Sequence, residues 1–194
     1  LGGSSAGEIC GTHVHENSLS VTAVFFEHTT LASAHKSIKS DNSLSVGEEL
    51  VRSLPQEGLR HIFVLADGLN TNGTELIKGM SKHLPETVTI TGGLAGDNGK
   101  FIETLIAANN FPESKNIAAI GFYGSRFKIG YGTKSGFVPF GPERVITRSE
   151  NNVLYELDGE PALELYKRYL GNKIRDFSTL CYYFPLLYKT KEMN

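Results

Sequence analysis

The sequence predicts an α/β (α+β) fold: mixed, strand-rich sheets with flanking helices, internally duplicated, in a piece of a longer polypeptide. Three observations carry this reading. Residues 61–94 run strand, helix, strand, the pattern of a βαβ unit. Beyond Gly99 one extended segment follows another. The stretch Leu1-Gly2-Gly3-Ser4-Ser5-Ala6-Gly7-Glu8 is echoed by Thr91-Gly92-Gly93-Leu94-Ala95-Gly96-Asp97: two glycines, two residues, Ala-Gly, then an acid. Glycine lets another backbone or a ligand approach closely, so each stretch reads as an exposed corner, and the pair as an internal repeat facing one cleft.

Taken in order, Leu1 already stands inside a corner that calls for a strand before it, which is the reason for expecting a longer chain. Glu8–His15 and Leu19–Phe26 read as strands with Asn17-Ser18 as the turn between them. Residues 29–44, rich in Ser, Thr, Lys and Asp, predict a surface connection. Ser45-Val46-Gly47-Glu48 has the spacing of a capping box, opening a short helix that ends by Pro55. His61–Ala66 is a compact apolar strand that delivers Asp67-Gly68 at its carboxyl end. Asn72 and Glu75 are spaced as a cap for a helix with Leu76, Ile77, Met80 and Leu84 at helical intervals. The right-handed crossover back through Val88-Thr89-Ile90 makes Asp67 and the Gly92 corner neighbours.

Phe101–Ala107, Ile117–Tyr123 and Arg126–Thr133 then read as strands, as do Arg144–Arg148 and Asn152–Leu157. Asp158-Gly159 turns the chain into a helix with Pro161 at its start, Ala162, Leu165, Tyr166 and Tyr169 inside, and Gly171 as its cap. Tyr131, Phe137, Phe140, Tyr155, Tyr166 and Tyr169 are assigned mostly to the core.

With 194 residues, a net charge of −2 and no block of Lys or Arg, the chain lacks the basic stripe of a nucleic-acid binder. No apolar run reaches membrane-spanning length. Two distant cysteines, Cys10 and Cys181, suit a reducing compartment, and a cytoplasmic location is expected.

The candidate ligand site gathers Gly2, Gly3, Ser4, Ser5 and Gly7 with Asp67, Gly68, Thr71 and Asn72, and with Gly92, Gly93, Ala95, Gly96 and Asp97. Strand ends of α/β sheets form crevices for ligands. Asp67 is positioned to take an ammonium while backbone N–H groups take a carboxylate. Phosphate loops are excluded, since Gly92-Gly93-Leu94-Ala95-Gly96 is not followed by Lys-Ser/Thr. His13 and His15, two apart on a strand, read as an exposed pair without a third metal donor, and Cys10 as a buried, inert thiol. Gly3-Ser4-Ser5-Ala6-Gly7 fits a nucleophile elbow in spelling, but a strand and not a helix follows it.

The two glycine corners, with Asp67-Gly68 ahead of a helix and Gly136-Phe137-Val138-Pro139 through Thr147, resemble the amino-terminal half of the FIST domain. Asn152–Ala162 is similar to the opening of its carboxy-terminal half, so the resemblance divides the chain at 1–150 and 151–194. FIST domains occur in bacterial signal-transduction proteins and some eukaryotic F-box proteins. The resemblance implies an intracellular, non-enzymatic sensory module for a small polar ligand, amino acids or small organic acids among them. No cofactor, metal, nucleic acid or membrane partner is expected. The alternatives are a protein-interaction scaffold, such as the substrate-recruiting part of an F-box ubiquitin-ligase subunit, and a hydrolase using Ser5 or Cys10.

Overall fold

The fold is described by a computed structural model covering residues 1–39, 42–132, 136–150, 153–171 and 185–186. The chain divides into two compact units, Leu1–Gly132 and Thr133–Asn194. The first runs β1 (Gly2–Gly3), β2 (Glu8–Cys10), β3 (His13–His15), β4 (Thr30–Ser37), α1 (Ser43–Arg52), β5 (Leu59–Ala66), α2 (Gly73–Ser81), β6 (Thr89–Leu94), β7 (Ile106–Ala107) and β8 (Asn116–Tyr123). The second holds β9 (Ile146–Glu150), β10 (Val153–Leu157), β11 (Glu160–Pro161) and α3 (Ala162–Leu170). This is an α+β fold with mixed, strand-rich sheets.

The main sheet has the order β4-β8-β5-β6. β5 and β6 are parallel with α2 between them, while β8 runs antiparallel to β4 and β5. Alternation decides what each face buries. Ile62, Val64 and Ala66 of β5, with Ile117 and Ala119 of β8, pack beneath Leu50 and Val51 of α1 and Leu76 and Met80 of α2. Each buried Ile, Val, Leu or Met of this set stabilises the fold by roughly 1.5–3 kcal/mol through burial. The helices touch backbone to backbone: a Cβ on Gly79 would stand 2.0 Å from the Leu44 carbonyl oxygen, and one on Gly47 2.4 Å from that of Leu76. Beside this contact Glu48 accepts from Lys82 Nζ at 2.8 Å and lies 3.0 Å from His83 Nε2.

On the opposite face His61 lies under Phe122 and Phe127, whose rings stack 5.0 Å apart, with Phe26 edge-on to both. His61 Nδ1 and Nε2 stand 2.8 and 2.9 Å from the Thr89 and Thr91 hydroxyls on β6. Toward the carboxyl end of β5, Ile106, Ala108 and Ala118 form a second cluster with Leu65 and Ala95. In the second unit β10 pairs with β9 and β11, and Leu157, Ala162 and Leu165 form its core. There Arg144 joins Asp158 at 3.0 Å and the Tyr169 hydroxyl at 2.8 Å.

Several expectations are corrected. Residues 30–37, read as a surface connection, form the edge strand β4. An edge strand tolerates polar and charged residues on its open side, and only alternate small residues such as Ala34 need to face the core. Leu19–Phe26 joins no strand and leaves Leu19, Val21, Val24 and Phe25 exposed, because no strand among the described residues pairs with it. Residues 101–105 and 126–132 are likewise outside strands. α1 begins before the expected capping box: Asn42 stands at its N-cap, Ser45 Oγ donates to the Asn42 carbonyl, and Glu48 turns to Lys82. Cys10 is exposed, since the β2–β3 hairpin buries little of either strand. Tyr131, Phe137, Phe140, Tyr155 and Tyr169 are exposed as well, Phe140 at 92%. Cys181 lies outside the described residues. The Asn72 cap, the strand at 61–66 and the helix after Pro161 are as predicted.

Candidate functional site

Parallel pairing of β5 with β6 puts their carboxyl ends side by side. The Ala95 N–H donates to the Ala66 carbonyl at 2.8 Å, and the Asp67 N–H to that of Asn116 at 3.0 Å. Gly68 is pressed against the second glycine corner, where an added Cβ would meet the Ala95 carbonyl oxygen at 2.1 Å. The predicted adjacency of Asp67 and this corner is therefore present. The strand runs on through the glycines, since Gly92 pairs with Val64 and Gly93 with Leu65.

Asp67 has a different task from the one expected of it. It is wholly buried. Its Oδ1 accepts from Thr104 Oγ1 at 2.6 Å and from the amides of Leu69 and Asn70 at 2.9 and 3.1 Å. Its Oδ2 accepts from the Lys115 amide at 2.6 Å and Asn70 Nδ2 at 3.0 Å. Burial works to raise its pKa, but the hydrogen bonds from Thr104, Lys115, Asn70 and Leu69 outweigh it and hold the carboxyl below its ordinary value. Five donors fill both oxygens, so the carboxylate anchors three loops and has no lone pair facing an ammonium. Asn72 is similarly engaged: its side chain caps α2 through the Glu75 amide, and its own amide donates to Ser43 Oγ. Thr71 Oγ1 is buried without a hydrogen-bond partner.

The first corner comes to the second. β1 pairs with β7, and Ser4 continues the ladder by donating its amide to the Leu105 carbonyl and accepting the Leu105 amide at Oγ, both at 2.9 Å. The Gly96 N–H donates to the Ser4 carbonyl at 3.0 Å. A Cβ on Gly96 would come within 3.2 Å of the Ala6 nitrogen, so the corners meet through backbone. Asp97 then fastens the next loop, accepting from the amides of Phe101, Ile102 and Glu103.

Beside this joint lies an open recess of about 270 Å³, lined by Gly3, Ser4, Ser5, Ala6, Gly7, Glu8, Asn17, Ser18, Leu19 and Asn98. Ser5 Oγ and Ser18 Oγ each donate to one Glu8 carboxylate oxygen at 2.6 Å. These two bonds, that from Ser18 the stronger, hold the Glu8 carboxyl below its ordinary value. Gly3, Ser4, Ser5 and Gly7 thus line the recess, with Gly2 beside them on β1 and Gly96 behind them. Ala95 lies between Gly3 and Gly68, whereas Asp67, Asn72 and Gly92 make their contacts elsewhere, with Thr104 and Lys115, with Ser43 and Glu75, and with Val64. Glu8, Ser18 and Asn98 were not among the expected residues. Glu8 was legible as the acid closing the first repeat, but the Asn17-Ser18 turn folds back onto it only in three dimensions. A second recess of about 240 Å³, at the other end of β5 and β8 beside Leu31 and Tyr123, holds no residue of either corner.

A family model described as the FIST N domain matches residues 1–160. The chain belongs to the FIST family. FIST domains are sensory domains of signal transduction. A protein of Methanocaldococcus jannaschii, described as uncharacterized protein MJ1623, is 31% identical over 108 residues, covering 56% of this FIST chain and 20% of the relative. The matched part is thus about a fifth of that relative's length. No solved structure matches the chain. No helix among the described residues is long and apolar enough to cross a membrane.

Proposed function

We propose that this FIST chain is a non-enzymatic sensory domain that binds a small polar ligand in the recess beside the Ser4–Gly96 joint. One observation carries the reading: two glycine corners more than eighty residues apart are tied backbone to backbone, with a polar recess open beside the tie. Backbone contact at glycine gives the recess a rigid floor, and a preformed polar concavity is what a small ligand requires. The non-enzymatic part rests on the partner of Ser5, which is a carboxylate with a lowered pKa and so a poor base for activating a hydroxyl. A cytoplasmic setting and separate output partners belong to the same proposal.

The interaction-scaffold reading draws on a separate observation, the exposed apolar side chains of Leu19, Val21, Val24 and Phe25 along one extended stretch. It predicts capture of a protein, with no response to metabolites.

A thermal-shift screen of small polar metabolites tests the sensing reading. A ligand at a hundred times its Kd stabilises the fold by about 2.7 kcal/mol, well within reach of the method. Stabilisation by at least one compound, abolished by Ser5→Trp in the recess wall, is expected. An unresponsive folded protein across the whole panel counts against it.

A further inference from the structure

Resting on the sensing reading, we propose that the recess takes the ammonium group of a small amine, with Glu8 as its counter-ion, in preference to the amino acid that gives this amine on decarboxylation. Among the described residues Glu8 is the one ionisable side chain in the recess wall. Both of its oxygens are aimed by serine hydroxyls, Ser5 on one and Ser18 on the other. Neither hydroxyl neutralises the charge.

Six other carboxylates held by hydrogen bonds differ in this respect. Glu48 has Lys82, Asp158 has Arg144, Glu156 has Arg148 and Glu160 has Arg168, each within 3.0 Å. Asp97 is filled by backbone amides, and Asp67 by backbone amides with the Thr104 hydroxyl and the Asn70 side-chain amide. Among the described residues Glu8 makes no ion pair, not even with His15, its cross-strand partner in the β2–β3 hairpin. A carboxylate fixed in a concavity, held ionised and left without a cation, is a site for a positive charge.

The remaining walls favour the same class. With their hydrogens committed to Glu8, Ser18 Oγ presents lone pairs and Ser5 Oγ, which also accepts from the Gly7 amide at 3.3 Å, keeps one, while the Asn17 and Asn98 side chains each add a carbonyl beside their NH2 group. An ammonium has three N–H donors and no acceptor, which matches such a surface. An amino acid adds a carboxylate, and no Lys or Arg among the described residues lines the recess to receive it. Its negative charge would stand near that of Glu8, so the decarboxylated amine binds better.

Titration calorimetry with cadaverine, lysine and pentanoate tests the inference. Cadaverine is lysine without its carboxylate, and pentanoate carries a carboxylate without an ammonium. Cadaverine is expected to bind at least tenfold more tightly than lysine, with no heat from pentanoate. Glu8→Gln is expected to weaken cadaverine at least tenfold, while Glu16→Gln on the neighbouring turn leaves it unchanged. Should Glu8→Gln fail to fold, Ser18→Ala serves in its place, with a threefold or greater loss. Equal binding of lysine or pentanoate, or cadaverine binding indifferent to both substitutions, overturns the inference. If a neutral or anionic metabolite from the thermal screen binds the recess equally in Glu8→Gln, sensing stands and the amine preference falls. If neither cadaverine nor any metabolite binds, both fall.

Discussion

Thr104 Oγ1 donates to Asp67 Oδ1 at 2.6 Å across a gap of 37 residues, and both side chains are buried. The bond joins the loop after β5 to the segment leading into β7, the strand that pairs with β1 of the first glycine corner. The position of the recess floor therefore depends on a carboxylate that never reaches it.

Asp67→Asn places an NH2 group where an oxygen now accepts from buried donors. The substitution is expected to cost about 2–4 kcal/mol, because a buried donor then faces donors. Acid has a related effect. The folded pKa of Asp67 is depressed from 3.8, so its stabilisation is complete above that value and is lost as pH falls through the folded pKa. Urea unfolding of wild type and Asp67→Asn, above and below pH 3.8, checks both statements: the gap between the two should narrow in acid.

Gly79→Ala tests the closeness of α1 and α2. The added methyl would stand 2.0 Å from the Leu44 carbonyl oxygen, so the helices must part. Overpacking of this kind costs on the order of 1–3 kcal/mol. Since Ala is the better helix former by nearly 1 kcal/mol in isolation, a destabilised variant in chemical denaturation isolates the packing effect.

Glu48 reports on the same helix pair through pH. Its hydrogen bonds to Lys82 and then His83 lower its pKa to about 2. The contribution is complete above its unfolded value of 4.5 and disappears as pH falls through about 2. Glu48 is half-buried but its partners Lys82 and Arg52 are exposed, so the effect is small and weakens with salt. Glu48→Gln should lose the slope of stability with pH across that window at low ionic strength, as followed by thermal denaturation.

His61 works with the opposite sign to a paired histidine. Burial lowers its pKa from 6.5, against a smaller raising effect at Thr89, so the folded protein keeps it neutral. As pH falls below 6.5 the unfolded chain gains a proton that the folded one refuses, and stability declines. Comparing denaturant midpoints at about pH 7.5 and about pH 5.5 should show a larger drop for wild type than for His61→Phe.

The physics that made parts of this fold legible in the sequence also explains what stayed hidden. Residues 61–94 announced themselves because a buried apolar strand, a capped amphipathic helix and a glycine-rich strand end leave local signatures. β4 did not, because an edge strand of Thr, Ser, Ala, His and Lys looks like a loop until its neighbour β8 supplies the ladder. Leu19–Phe26 failed in the other direction: β-branched and aromatic residues suggest a strand, but strands exist only in pairs. At the site, the two glycine corners were legible as neighbours, and the Gly96 N–H to Ser4 carbonyl bond joins them. Asp67, an acid at a strand end, looked like a ligand group, yet its donors Thr104 and Lys115 come from remote sequence. Glu8 and Ser18 are likewise neighbours only after the chain turns back.

The central claim is that a small ligand occupies the recess beside the Ser4–Gly96 joint. Amide chemical-shift mapping during titration with whichever compound gives the largest thermal shift tests it most directly. Saturable changes confined to Ser4–Glu8, Ser18 and Asn98, with β4 and α1 unmoved, are the predicted result. Changes centred elsewhere in the first unit, with the Ser4–Glu8 amides silent, would contradict it.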